Sequence, residues 1–300
     1  MAASSAGGSA ARALARPPNV LTIAGSDPSG GAGIQADIKT FSALGAYATS
    51  VITALTAQNT LAVTGVHTVP PEFVRAQLDA LSSDVRIDAV KVGMLASAPI
   101  ACAVADWLEA AGIPSVVVDP VMVAKSGDRL LDADAVEALR RRILPLASVL
   151  TPNLPEAGVL LGRAMPATVD QMRQAALDLA ALGPRHVLVK GGHLRSEDSS
   201  PDVLCDGREV TLIEAERVAT RNTHGTGCTL SAAIAALLPR HGAVPSAVPN
   251  AVPNAVRAAK SYVSAGLRAS HELQVGSGRG PLHHFHALWP RAPQTSAPNG

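Results

Sequence analysis

Short aliphatic and β-branched runs alternate with helical patterns from Asn19 almost to the end of this 300-residue chain. Strand-like runs occupy Val20–Ala24, Tyr47–Ala54, Ala89–Val92, Ser115–Val118, Ser148–Leu150 and His186–Lys190. The spacing predicts helices over Ala32–Leu44, Pro71–Ser83, Ala98–Ala111, Asp132–Arg142, Leu154–Leu161, Val169–Leu182, Gly225–Leu238 and Val256–His271. Strands separated by helices form βαβ units around a mostly parallel sheet, so the fold class is α/β. Aromatic residues make up only 2% of the chain, and the core must be built from Ala, Val, Leu and Ile. Those residues suit buried parallel strands and tightly packed helices.

Helix punctuation agrees. Pro71 stands where a first helical turn accepts proline. Gly45, Gly112, Gly162 and Gly183 each follow a helical pattern, where a glycine can turn into positive φ. After Lys190 the order changes: Val203–Cys205 and Glu209–Ile213 flank Asp206-Gly207-Arg208 and read as a β-hairpin, a small antiparallel edge. Three repeats of Ala-Val-Pro-Ser/Asn within Ala243–Val256 predict a surface loop, because a proline every four residues cannot continue a helix. Residues 1–18 read as a disordered leader and 290–300 as a disordered tail, with one domain over 19–289 between them.

The formal net charge is +1, and the one basic run, Arg140-Arg141-Arg142, reads as a solvated helix end. A nucleic-acid partner or an anionic membrane therefore has no electrostatic support. No apolar run reaches the roughly 18 residues of a membrane span. Three widely spaced cysteines, Cys102, Cys205 and Cys228, argue against a disulfide framework and for the reducing cytoplasm.

Five constellations carry chemistry. The turn from Ala24 to Gly33, Ala-Gly-Ser-Asp-Pro-Ser-Gly-Gly-Ala-Gly, follows the first strand and opens a helix. It lacks the Lys-Ser/Thr of a P-loop and the spacing of a dinucleotide fingerprint, and marks either a ligand at a strand end or a structural turn. Thr223-His224-Gly225-Thr226-Gly227-Cys228-Thr229 precedes a helix of small residues. Gly225 and Gly227 strip side chains from that helix start, and its free amides and positive dipole end form an anion site. Such a site stabilises a phosphoryl group in transfer, whose charge lies on its equatorial oxygens. The same dipole is expected to acidify the Cys228 thiol; the other reading is a buried cysteine at a helix start.

Asn153 and Glu156 in Thr151-Pro152-Asn153-Leu154-Pro155-Glu156 stand three apart at a helix start. They offer the hard oxygen ligands that Mg²⁺ takes, or a cap with its capping-box glutamate, and the two roles can coexist. Lys190, leaving a strand before Gly191-Gly192-His193, reads as a nucleotide-phosphate contact or a solvated lysine. Asp119 in Val118-Asp119-Pro120-Val121-Met122, with Lys125-Ser126-Gly127 following, ends an apolar strand, where it can assist a cation or orient its water.

In this order the motifs resemble the ribokinase-like superfamily, and within it the hydroxymethylpyrimidine/phosphomethylpyrimidine kinases of bacteria. The resemblance runs over roughly residues 19–289. It is also carried by Gln35-Ala36-Asp37, Thr53-Ala54-Leu55-Thr56-Ala57-Gln58-Asn59-Thr60, Lys91-Val92-Gly93-Met94 and Gly280-Pro281-Leu282-His283-His284-Phe285. It implies a three-layer sandwich with ATP and substrate at the strand C-termini, Mg²⁺ as cofactor, a small-molecule pyrimidine substrate, a place in thiamine synthesis and a homodimer. By resemblance, Gln58 hydrogen-bonds the pyrimidine edge, for which an amide offers both donor and acceptor. Gly25, Asp37 and Met94 would line the same pocket. Lys190, Thr226 and Asn153 would hold the nucleotide, and Glu156 and Asp119 the cation. Cys228 stands where sugar kinases of the superfamily carry an aspartate base. Pyridoxal kinase activity is the nearest alternative, against which Gln58 and Met94 favour the pyrimidine. A non-catalytic pyrimidine-binding protein would have no need of Asn153, Glu156, Lys190 and Cys228 together. A thiol-dependent hydrolase lacks its Cys-His-Asn pattern.

Overall fold

The computed structural model describes residues 16–122, 132–194, 199–240 and 250–290. Most of the expected leader and tail, Lys125-Ser126-Gly127, and residues 241–249 of the repeat lie outside the described residues.

Nine strands form one sheet in the order β3-β2-β1-β4-β5-β6-β7-β8-β9. They are β1 (Asn19–Ser26), β2 (Tyr47–Gln58), β3 (Val63–Thr68), β4 (Ala89–Val92), β5 (Val116–Val118), β6 (Val149–Leu150), β7 (His186–Lys190), β8 (Asp202–Cys205) and β9 (Val210–Ile213). From β2 across to β7 every neighbouring pair is parallel. β3 closes one edge and β8–β9 the other, both antiparallel. The Asp-Gly hairpin is present, with Gly207 at φ 91°. The β3 edge was not anticipated: Val63–Thr68 is short, interrupted by Gly65 and largely exposed, so it carries no buried period to read.

Helices cover both faces. α2 (Pro71–Ser82), α3 (Ala98–Ala111), α4 (Ala133–Ala138), α5 (Leu154–Leu161) and α6 (Val169–Ala180) pack with Ile23, Val90, Val118 and Val187 on one side. α1 (Gly33–Ala43), α7 (Thr226–Leu237) and α8 (Ala251–Arg268) cover the other, over Val20, Val117 and Leu188. The sheet is thus the middle of three layers. All four residues of β4 and all three of β5 are buried, as strands covered on both faces must be. α7 is buried from Thr229 to Ala236; a helix apolar nearly all round belongs inside. The four expected helix-end glycines all take positive φ.

The surface-loop reading of Ala243–Val256 needs correction at its end, where α8 already runs from Ala251. Pro253 is its third helical residue, and a first-turn amide has no intrahelical acceptor to lose.

Candidate active site

Parallel strands place their C-terminal ends along one rim of a sheet, and the chain reverses its winding direction beside β1, where α/β folds open a crevice. A cavity of about 470 Å³ lies along that rim. Gly25 near the end of β1, Gln58 at the end of β2 and Met94 after β4 reach it. Asp119 follows β5, Asn153 and Glu156 follow β6, and Lys190 ends β7, and these too form its wall. Gly225, Thr226, Gly227 and Cys228 enter from the start of α7.

The two glycine-rich turns interlock. Gly225 caps α7 at φ 70°, and no side chain caps the helix. A Cβ on Gly225 would overlap the Gly31 carbonyl, and one on Gly31 would overlap the His224 ring. His224 Nε2 lies 2.8 Å from Asp27 Oδ2, and Asp27 also accepts from Ser29 and from the Ala32 amide. Burial raises the Asp27 carboxyl, but His224 and Ser29 outweigh it and hold it at about 2. The carboxylate is therefore ionised, and the imidazole Nε2–H donates to it. The Gln58 side-chain amide ends 3.4 Å from the same ring nitrogen.

Lys190, Asp119 and Glu156 form a buried charged cluster. Lys190 Nζ donates to Asp119 Oδ1 at 2.8 Å and stands 4.0 Å from Glu156 Oε2. Burial opposes the Asp119 charge, but Lys190 and Lys91 pull its carboxyl below the usual range. Lys190 is raised against burial by Asp119 and Glu156. Glu156 is pushed up to about 7, chiefly by burial and then by Asp119, with Lys190 opposing. The capping box is formed: the Asn153 amide donates to Glu156 Oε2 at 2.7 Å, and Asn153 Oδ1 accepts from Glu156 N at 2.9 Å. Glu156 Oε1 is left for other partners.

Two expectations need correction. Burial pushes the Cys228 thiol up to about 11, against the attraction of Lys91. The helix start that was expected to acidify it is a weaker influence than desolvation. Asp37 does not line the cavity: it is wholly buried behind the wall on α1. Its Oδ2 accepts from Lys91 Nζ at 2.8 Å and from Thr22 Oγ1 at 2.6 Å. Lys91 takes its place in the wall.

Sequence reasoning assigned no role to Lys91, Asp27 or His224. It also missed Lys260, which donates to Asp202 Oδ2 at 2.5 Å while Asp202 Oδ1 takes the Gly191 amide. A lysine inside the apolar run Ala-Val-Lys-Val was the one available signal, because a buried cation requires a partner.

The cavity thus joins an uncapped helix start, the lysines Lys91 and Lys190, the carboxylates Asp119 and Glu156, and a thiol. Comparison with known proteins agrees with that chemistry. Residues 27–283 match the phosphomethylpyrimidine kinase family. The chain is 54% identical over 271 residues to the hydroxymethylpyrimidine/phosphomethylpyrimidine kinase of Escherichia coli K12, covering 90% of this chain and 98% of that one. Among solved structures, a phosphomethylpyrimidine kinase from Clostridium difficile 630 is 40% identical at TM-score 0.70, over 82% of this chain and 98% of that one. An ADP complex of Bacillus subtilis pyridoxal kinase is 36% identical at TM-score 0.79, over 90% and 98%.

Proposed function

The chain belongs to the phosphomethylpyrimidine kinase family and is a phosphotransferase, and from that premise we propose the substrates and residue roles of its cavity. It transfers the γ-phosphoryl group of ATP to 4-amino-5-hydroxymethyl-2-methylpyrimidine, then phosphorylates the monophosphate to the diphosphate for thiamine synthesis. The carrying observation is that the uncapped start of α7, Cys228, and the Lys190–Asp119–Glu156 cluster share one cavity with Gln58.

The amides of Gly227 and Cys228 would hold the migrating phosphoryl group, as free donors at a helix start do. Lys190 would bind nucleotide phosphate, with Thr226 and Asn153 beside it. The apolar wall of Val218, Val263 and Leu267 beyond Lys190 suits a nucleobase. Gln58, with Gly25 and Met94, would read the pyrimidine. Mg²⁺ fits the two carboxylates of Asp119 and Glu156, since it takes one or two from protein and completes its shell with phosphates and water. When bound, it would neutralise phosphate charge in the transition state.

The two steps make different demands on Cys228. A neutral hydroxymethyl group must lose its proton as it attacks, and Cys228 is the group to accept it. The monophosphate attacks through an oxygen already ionised at pH 7 and needs no base. Cys228→Ala should therefore lower kcat/KM of the first step by about 100-fold, within the usual contribution of a general base, and that of the second by less than about fivefold. Equal losses would overturn the role. Glu156→Gln should weaken both steps, and an unchanged Mg²⁺ dependence would remove Glu156 from the cation site.

The resemblance to pyridoxal kinases supports a second reading, phosphorylation of a pyridine alcohol, which steady-state assays of both substrates distinguish. A homodimer is supported by the exposed apolar side chains of the β2–β3 edge, Leu55, Leu61 and Val66. No helix among the described residues is long and apolar enough to cross a membrane. The three free thiols support a place in the cytoplasm.

A further inference from the structure

We propose that Lys91, fixed by Asp37, is a positioning residue for the first phosphorylation: its buried ammonium holds the negative charge that passes between the Cys228 sulfur and the substrate hydroxyl oxygen. The inference rests on the reading of Cys228 as proton acceptor. A base that begins as a thiol must lose a proton before it can take one, and something in the wall has to make that loss accessible.

Lys91 lies inside β4 with no exposure, yet it is one of the residues that line the cavity. Packing does not require it, because a buried ion pair can often be replaced by apolar residues without loss of stability. The pair is anchored from behind the wall, where Asp37 Oδ2 takes both Lys91 Nζ and the Thr22 hydroxyl. Asp37 Oδ1, equally buried, has no hydrogen-bond partner among the described residues. An ammonium has three N–H donors, and Asp37 occupies one. Gly93 packs closely on the end of the lysine, where a Cβ would lie 2.8 Å from Nζ.

The charges around Cys228 come from four elements. Lys91 on β4 and Lys190 at the end of β7 favour its thiolate; Asp119 after β5 and Asp37 on α1 oppose it; the Gly33 amide donates to the sulfur. Lys91 is the largest of the favourable influences. Lys190 is drawn to Asp119 and Glu156, whereas among the described residues Lys91 is bonded to Asp37. In the step itself, the hydroxyl proton moves to the thiolate sulfur. The oxygen pair bonds the γ-phosphorus, and the bond from phosphorus to the bridging oxygen breaks with its pair leaving on ADP. The one negative charge shared by sulfur and oxygen stays beside Lys91 throughout. Cys228 then returns its proton to water. The monophosphate needs no such transfer.

The double variant Asp37→Asn with Lys91→Met removes both charges and keeps the shape. In the full-length enzyme, kcat/KM of the first step should fall about 100-fold and that of the second less than about fivefold. The pH midpoint of Cys228 alkylation by iodoacetamide, read on the Cys228 peptide, should rise by about one unit or more. Should this variant melt below assay temperature, Lys91→Met alone, whose orphaned Asp37 can take up a proton, is read the same way. An unchanged alkylation midpoint, or equal losses in both steps, overturns the inference. If Cys228→Ala fails to separate the steps, the reading of Cys228 falls and this one with it. If Cys228→Ala separates them and the Lys91 variants do not, this inference alone falls.

Discussion

Lys91 and Lys190 reach the same cavity from two parallel strands, and they are held in opposite ways. Lys91 sits inside β4, unexposed, and its carboxylate Asp37 is sealed behind the wall. Lys190 ends β7 with 13% of its side chain exposed, and its carboxylates Asp119 and Glu156 open onto the cavity themselves. A pair with both members facing the cavity can be parted by a phosphate and a cation, each taking one partner. A pair with one member sealed cannot. The first lysine is therefore a fixed charge and the second an exchangeable one, although a sequence shows each only as a lysine in an apolar strand.

The largest expected effect tests the fixed pair. Asp37→Ala leaves an ammonium buried with no counter-charge, which costs about 3–5 kcal/mol of folding stability by denaturant titration. Asp119→Ala should cost less, about 1–2 kcal/mol, because Lys190 keeps Glu156 at 4.0 Å and some solvent. Equal losses would erase the distinction.

Activity should divide the lysines the other way. If Lys190 binds the phosphates as proposed, Lys190→Met removes its charge from both reactions, and kcat/KM should fall about 10²–10³-fold in each, the cost of one lost transition-state donor. A loss confined to the first step would make Lys190 a second Lys91.

A smaller effect comes from pH. Glu156, raised from its ordinary 4.5 to about 7 by burial, then by Asp119 and against Lys190, keeps a proton that the unfolded chain has released. Its contribution is most favourable below pH 4.5 and is lost as pH rises to 7. Between pH 5 and 8 the wild type should lose roughly 1–3 kcal/mol relative to Glu156→Gln, measured by denaturant titration at each pH. Glutamine still serves the capping box, so the difference isolates the charge. A pH-independent difference would mean that Lys190 holds Glu156 ionised throughout.

The frame of this molecule was legible because buried parallel strands are mostly aliphatic runs and several of the helices end in glycine. Ala89–Val92, His186–Lys190 and Ala98–Ala111 begin and end where the sequence predicts. β8–β9 was legible through Asp206-Gly207, whereas β3, exposed and interrupted by Gly65, left no period. The site was legible as far as strand ends reach, since a residue leaving a parallel strand at its C-terminus arrives at the rim. What escaped were relations across the sheet. Helical spacing puts Asp37 on the inward face of α1 but cannot say whether it stops at the cavity or at Lys91. The turn around Cys228 announces a helix dipole but not the burial that outweighs it.

The smallest effect concerns the glycines beside the two lysines. A Cβ on Gly93 would lie 2.8 Å from Lys91 Nζ and 3.0 Å from the Ala24 Cβ. Lys91 is pinned by Asp37 and cannot retreat, so Gly93→Ala overpacks the wall and should cost about 1–3 kcal/mol of stability. A Cβ on Gly227 would lie 3.3 Å from Lys190 Nζ and 3.7 Å from Asp119 Oδ2. Lys190 is the lysine with room to move, and alanine is the better helix former by up to about 1 kcal/mol, so Gly227→Ala should leave stability unchanged or slightly raised. On the proposed role of Lys190, its effect should appear instead as a several-fold rise in KM for ATP, because the displaced ammonium would no longer meet the phosphates in register. A large loss of stability from Gly227→Ala would show that Lys190 is as rigidly held as Lys91 and that its partners do not exchange.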